Sequence, residues 1–306
     1  MMNNQIEPID SEDSVGIDLH ELIGLFRSNI KIIFLITSIF AAVSVAVSLS
    51  LPNIYSSRAI LTITDKEIGG GSSSGPGAGL GGIAAMAGIQ IASSSNDLGF
   101  TVIETIKSYD FLDHLISKDG VLQNLYAAID YDAISDQIIY DDSLYDSNTE
   151  KWVIEKPSNV QAYGKYIGSI AVSKNKTNGF IYLNFSHFSP RFTKDFTNLI
   201  VREVNEVIRL KDLEESNKSM QFLKAKLGET SETEIRFTIN QLIKTEIKTQ
   251  TFANIKENYA IEPVDSAFLP NQKSSPARAL ICIFGTLIGF ILSYVFFVVR
   301  FFISPK

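Results

Sequence analysis

The chain has 306 residues, a formal net charge of −7 and one cysteine, Cys282. The acidic balance argues against nucleic acid or an anionic lipid surface as the main partner. A lone cysteine excludes an intramolecular disulfide and any metal site built on cysteines.

Residues 1–31 read as a terminal tail. Met1 to Gly16 is acidic and without pattern, the composition of a disordered end. Asp18 then stands three residues before Glu21, and Leu19, Leu22, Ile23 and Phe26 fall at i, i+3, i+4 and i+7, which predicts a short capped amphipathic helix. Ile32 to Leu51 follows without a charge, and about 20 such residues cross the ~30 Å hydrocarbon layer. A cleaved signal peptide is the competing reading, with Ala46-Val47-Ser48 as its site, but its apolar core should run only about 7 to 15 residues. Residues 32–51 are therefore expected to be a retained transmembrane helix. Within it Ser38, Ala42 and Ala46 recur every four residues, a spacing that lets another helix backbone approach closely in lipid.

Residues 52–189 read as an α/β domain. Ile54 to Thr64 alternates and is rich in β-branched residues, as a strand would be. Residues 69–88 are glycine-rich but lack a Gly-Lys-Ser/Thr ending, so a flexible loop is expected rather than a phosphate cradle. Phe100 to Ile116 predicts one helix, with Val102, Ile103, Ile106, Phe111 and Leu115 buried and Val121 to Ala128 continuing it. Asp130 to Glu150 is acidic and tyrosine-bearing, and a solvated loop is expected. Its Asp130-Tyr131-Asp132 is like the Asp-x-Asp of metal-dependent sugar transferases, but a calcium-loop spacing is not met. Ile170 to Ser173 and Phe180 to Phe188 should pair around an Asn178-Gly179 turn. His20, His114 and His187 have no partner at metal-ligand spacing, so no catalytic, cofactor-binding or metal-binding residue is assigned and no cofactor is expected.

Residues 190–258 carry the longest periodic pattern. Phe192, Phe196, Ile200, Val204 and Ile208 recur every four residues, and Leu213, Met220, Leu223 and Leu227 extend the stripe. The pattern predicts a helix of about 38 residues, or ~57 Å. Gly228 should break it, and Ser231 with Glu234 should cap a second helix bearing Ile235, Ile239, Leu242, Ile243 and Ile247. An extended helical hairpin results. Residues 259–278 then form a returning strand and a proline-rich neck containing Pro263, Pro270, Pro276 and Arg278.

Ala279 to Val299 is a second charge-free run. Its 14 Leu, Ile, Phe and Val residues favour membrane insertion by about 4 to 8 kcal/mol. Gly285 and Gly289 offer a further small-residue contact. Two spans place residues 1–31 and 300–306 on the same side. Basic residues flank both sides of each span, so charge leaves the orientation open. The class is thus an α+β membrane protein with two transmembrane helices.

The order of these parts resembles the Wzz-type chain-length determinants, or polysaccharide co-polymerases, of the bacterial inner membrane. The resemblance rests on Ile17-Asp18-Leu19, Ile54-Tyr55 with Ala59, Lys156-Pro157-Ser158, and Thr177-Asn178-Gly179. It continues in Ser189-Pro190, Asn205 with Arg209, and Phe222-Leu223. Most specific is Asp265-Ser266-Ala267 with Pro270, followed by Pro276-Ala277-Arg278. The family pattern has proline where Ser266 stands. The resemblance implies a periplasmic, membrane-proximal domain, cytoplasmic termini in a Gram-negative cell, and a ring-like homo-oligomer. It also implies a non-enzymatic role in setting surface polysaccharide length, most commonly lipopolysaccharide O-antigen. The implied partners are the O-antigen polymerase in the same membrane and the growing polysaccharide. Capsule or exopolysaccharide relatives carry a tyrosine kinase after the second span. Only Arg300 to Lys306 follow here, so no fused kinase is expected, and a capsule role would call for a separately encoded kinase.

Overall fold

A computed structural model describes residues 19–64 and 95–303, so the acidic start, Asp18 and the glycine-rich segment 69–88 lie outside the described residues. The chain divides into two units, one formed by its terminal regions and the other by residues 52–275.

The first unit is a helix pair. Helix α1 runs unbroken from Leu19 to Ser50, so the expected amphipathic segment and the first span are one element. Arg278–Ile303 forms α8, numbered last in chain order. Phe26–Ser50 and Arg278–Arg300 have mean hydropathies of 2.6 and 2.5 and are long enough to cross a membrane. The two helices run antiparallel. Arg278 Nη2 donates to the Leu51 carbonyl at 3.2 Å, and Ser44 Oγ donates to the Ile281 carbonyl at 2.9 Å. At the other end the Phe26 ring meets Phe290 and Tyr294, with centroids 6.1 and 6.2 Å apart.

The second unit is built on a four-stranded antiparallel sheet ordered β6-β7-β1-β8. Strand β1 is Tyr55–Ile63, β6 Ile170–Lys174, β7 Ile181–His187 and β8 Ile261–Asp265. Central β1 pairs with β7 from Tyr55↔His187 to Leu61↔Ile181, and with β8 through Ile63↔Ile261. In β7, Ile181, Leu183, Phe185 and His187 are buried while the residues between them are half-buried. One sheet face therefore carries the core, as a period-two pattern dictates.

Helix α6, Pro190–Glu229, lies across that face with Phe196, Ile200, Val204 and Ile208 buried. Its start is doubly marked. Ser189 Oγ accepts from the Phe192 N–H, and Pro190 occupies the first turn, where a missing N–H costs nothing. Helix α7, Thr233–Ile255, returns along it: Ser216 Oγ reaches the Glu246 carbonyl, and Gln250 Nε2 donates to Asn217 Oδ1. The expected Ser231 capping box is absent. Glu232 is the N-cap and makes no side-chain cap bond; Arg236 instead bridges the connection to the carbonyls of Leu227 and Thr230.

Other expectations need correction. The helix predicted over Phe100 to Ile116 is two, α2 Ser95–Lys107 and α3 Tyr109–Ile116. Ser108 divides them because its hydroxyl accepts from Phe111 N and caps the second. A third short helix, α4 Val121–Ala127, begins after Gly120, whose φ of 82° prevents a continuous helix. The acidic segment is not a plain loop. It holds two hairpins, β2 Ala128–Asp132 with β3 Gln137–Tyr140, and β4 Tyr145–Asp146 with β5 Lys151–Trp152. Residues 159–169 form helix α5, Asn159–Ser169, with a complete Ser158/Gln161 capping box.

Candidate functional site

The predicted neck residues sit where the chain comes back to the sheet. Pro263 pairs with Leu61 on β8, next to a register shift between Ile60 and Leu61. Strand β8 is an edge, so the lost N–H removes no ladder bond. Beyond it the chain is held side chain by side chain. Asn198 of α6 accepts from Ala267 N–H at 3.3 Å, and Ser57 Oγ donates to the Phe268 carbonyl at 2.6 Å. Pro270 is buried. Ile54 and Ser275 then form an antiparallel bridge, with Ile54 N–H donating to the Ser275 carbonyl at 2.9 Å and Ser274 N–H to the Ile54 carbonyl at 2.8 Å. In the helix pair, Pro276 accepts from the Arg278 N–H.

One buried side chain fixes the return. Asn205 on α6 is 3% exposed, and its Oδ1 accepts from both Ala260 N and Ile261 N, at 2.7 and 2.9 Å. Its Nδ2 donates to the carbonyls of Ile261 and Val201. All four amide positions are thus used. One turn on, Arg209 grips Glu206 with two nitrogens and reaches the Ala253 carbonyl, while Tyr259 OH donates to Asp212 Oδ2 at 2.7 Å. The residues that carry the family resemblance on this helix therefore clamp α7 and β8 to it. A cleft of about 190 Å³ opens beside the clamp, lined by Asn198, Arg202, Glu257, Asn258, Pro263 and Ser266 among others.

On the neighbouring side, Glu203 is buried and gathers nitrogen donors. His114 Nε2 lies 2.7 Å and Lys118 Nζ 2.9 Å from Oε2, with Arg202 Nε at 3.4 Å from Oε1. Burial alone would raise the carboxyl pKa, but the hydrogen bonds from Lys118 and His114 outweigh it and the net shift is downward. Glu203 is therefore an anionic tie between α3 and α6.

His187 is a core residue. Its Nε2 lies 2.8 Å from the Asn124 carbonyl, and its Nδ1 accepts from Ser189 N–H at 3.2 Å. That pair of partners fixes the neutral, Nε2-protonated tautomer. Burial depresses its pKa to about 4. Between about pH 6.5 and 4 the unfolded chain then binds a proton that the folded chain does not. Stability should thus be fully present above about pH 6.5 and fall by about 3 kcal/mol as pH drops through this window. Urea unfolding at both ends of the window checks this: His187→Gln should be less stable at neutral pH, yet show a clearly smaller loss on acidification.

The aspartates of the sugar-transferase-like triplet do other work. Asp130 Oδ1 accepts from Tyr131 N, and Asp132 accepts from Ile134 N and Ser135 Oγ. Asp141 and Asp146 bind the N–H two residues on in the same way. These are turn-forming carboxylates, and hydrogen bonding lowers the pKa of Asp132. Among the described residues no group of three or more His, Cys, Asp and Glu could hold a metal ion. The side chain of His20 lies outside the described residues.

The small residues of the helix pair divide. Gly285 faces Ser44, and Gly289 faces Phe40 so closely that a Cβ at either position would collide. Ser38, Ala42 and Ala46 are exposed. Helix α1 thus turns to α8 a different four-residue row than its small-residue spacing suggests, Phe40, Ser44 and Ser48. Ser44 belongs in that contact because its hydroxyl finds the Ile281 carbonyl, a partner that lipid would not supply.

Residues 15–118 match the model of the Wzz family, chain length determinant protein. Among curated proteins none matches. Two solved structures show similarity. A full-length bacterial polysaccharide co-polymerase is 14% identical with a TM-score of 0.40, covering 92% of this chain and 97% of that one. A fragment of WzzB, the polysaccharide co-polymerase of Salmonella Typhimurium, is 12% identical with a TM-score of 0.33, covering 73% of this chain and all of that fragment.

Proposed function

We propose that this chain, whose residues 15–118 match the chain-length determinant family model, is a non-enzymatic regulator of surface polysaccharide length, acting on lipopolysaccharide O-antigen. The family match is the observation that carries the reading. The two long apolar helices, one on each side of residues 52–275, support it.

On this reading Phe26–Ser50 and Arg278–Arg300 cross the inner membrane, the termini are cytoplasmic, and residues 52–275 are periplasmic. Several copies stand side by side in a ring and hold the polymerase, so that residence time or geometry fixes polymer length. The clamped return through Asn205, Pro263 and Pro270 is the element that transmits the state of the long helices to the second span.

Deleting the gene should abolish the modal O-antigen length on silver-stained gels while polymer is still made. Unchanged size distributions of O-antigen and capsule would refute the proposal. A change confined to capsule would move the role to capsule export with a separate kinase. Replacing Pro270 and Pro276 together by alanine should shift the distribution at normal protein level; a normal distribution would remove the neck from the coupling.

A further inference from the structure

The sheet unit is left twice by the chain, and both departures lie at one end of it. Tyr55 opens β1 four residues after Leu51, a covalent reach of about 14 Å. The bridge between Ile54 and Ser275 puts the second departure at the same place.

That end exposes large apolar side chains. Phe268 and Leu269 are adjacent, 52% and 49% exposed, on the segment that Ser57 holds by the Phe268 carbonyl. Ile134 is 97% exposed in the turn between β2 and β3. Its hairpin is fixed to the same end twice: the Tyr131 ring packs edge-on against Tyr55 with centroids 6.3 Å apart, and Asp136 pairs with Arg191 in the first turn of α6. The Tyr131 hydroxyl also donates to Asp136, which raises its pKa to about 12.

Both apolar tips are thus held by hydrogen bonds and ring contacts to rigid elements, yet present their side chains outward. We infer that Phe268, Leu269 and Ile134 insert into the interfacial layer of the bilayer that the two spans cross, as a third point of attachment. The inference rests on the reading of α1 and α8 as membrane spans. Lipid is the occupant because the chain itself tethers this end, and no other, to both apolar helices. The attachment is apolar rather than electrostatic, in keeping with the acidic chain, and apolar side chains in such a layer lie about 5–10 Å deep. Its effect would be to fix the tilt of the sheet, which two single-chain tethers cannot do.

The test uses the full chain with Cys282→Ser, reconstituted in nanodiscs of phosphatidylcholine and phosphatidylethanolamine. Single cysteines at Phe268, Ile134, Phe100 and Leu287 are labelled with an environment-sensitive fluorophore, and lipids carrying spin labels at shallow and at deep positions serve as quenchers, the shallow set for 268, 134 and 100 and the deep set for 287. Phe100 is the control: it is 61% exposed and lies near Lys174, at the opposite end of the sheet, where Lys174 pairs with Ile181. Labels at 268, 134 and 287 should be quenched several-fold more than the label at 100. Quenching at 287 without quenching at 268 overturns the attachment and leaves the spans intact. No quenching at 287 overturns the spanning reading and the attachment with it. A label at 268 shielded from aqueous iodide equally in nanodiscs and in detergent, without lipid quenching, would assign the surface to a second copy and overturn the attachment. Leu269→Cys repeats the measurement should Phe268→Cys fail to fold.

Discussion

Replacing Asn205 by leucine should cost about 3 kcal/mol or more of the stability of the sheet unit, the largest loss expected from one substitution outside the hydrophobic core. The side chain is buried and uses Oδ1 for two backbone N–H groups and Nδ2 for two carbonyls. Leucine is close in volume, so little of the loss would come from a cavity. It would come from stranding Ala260 N–H and Ile261 N–H, at about 1–3 kcal/mol for each unsatisfied buried group. Asn205→Asp separates the contributions. It keeps the acceptors but replaces the donor with a buried carboxylate facing the Ile261 carbonyl, and should be at least as harmful at neutral pH. Denaturant unfolding followed by the Trp152 fluorescence measures the cost, while hydrogen exchange at Ala260 and Ile261 locates it. Equal protection of these amides in Asn205→Leu and the unaltered chain would show that β8 is held by the sheet ladder alone.

Gly289→Ile should separate the two apolar helices. A Cβ at this position would overlap Phe40 Cβ, and at Gly285 it would overlap Ser44, so relief requires either helix displacement or a new rotamer for Phe40. Overpacking of this kind costs about 1–3 kcal/mol in a well-packed contact, and in lipid no hydrophobic exclusion compensates, because the helices associate through close packing. Displacement would also stretch the hydrogen bond from Ser44 Oγ to the Ile281 carbonyl. Crosslinking by a bifunctional thiol reagent between cysteines at Thr37 and Thr286, which line one cleft of the pair, in the Cys282→Ser chain reports the pairing; it should drop several-fold in Gly289→Ile and be nearly unchanged in Ala42→Ile, because Ala42 faces away. Equal crosslinking in both would place the contact elsewhere.

The two apolar helices and the long helix were readable because each is encoded locally: absence of charge over twenty residues, a four-residue apolar stripe, a Ser-Pro start. The Asn178-Gly179 turn is equally local, with Gly179 at a φ of 75°. What escaped was decided by single hydroxyls and carboxylates with two plausible roles. Ser108 reads as a tolerable helix residue until its Oγ caps Phe111. Asp132, Asp141 and Asp146 look like solvent-facing charge, yet each binds a neighbouring N–H and turns the chain. His187 did carry a signal, since it falls in phase with Ile181, Leu183 and Phe185 on a strand. The role of Asn205 carried none, because its partners are 55 and 56 residues away and become neighbours only when β8 docks.

The position of β1 in the sheet has a temporal consequence. This strand is made early, but its partners are β7 and β8, which begin at Ile181 and Ile261. During synthesis at about 5–20 residues per second, some 6 to 25 s should pass before β7 emerges to meet it. Until then β1 is a strand with two open edges, and pairing over such separations is intrinsically slow. Its lone charge, Arg58, near the middle of the strand, works against pairing with the wrong edge during that wait. The nascent chain should therefore be most vulnerable to aggregation and proteolysis between the appearance of residue 63 and that of residue 187.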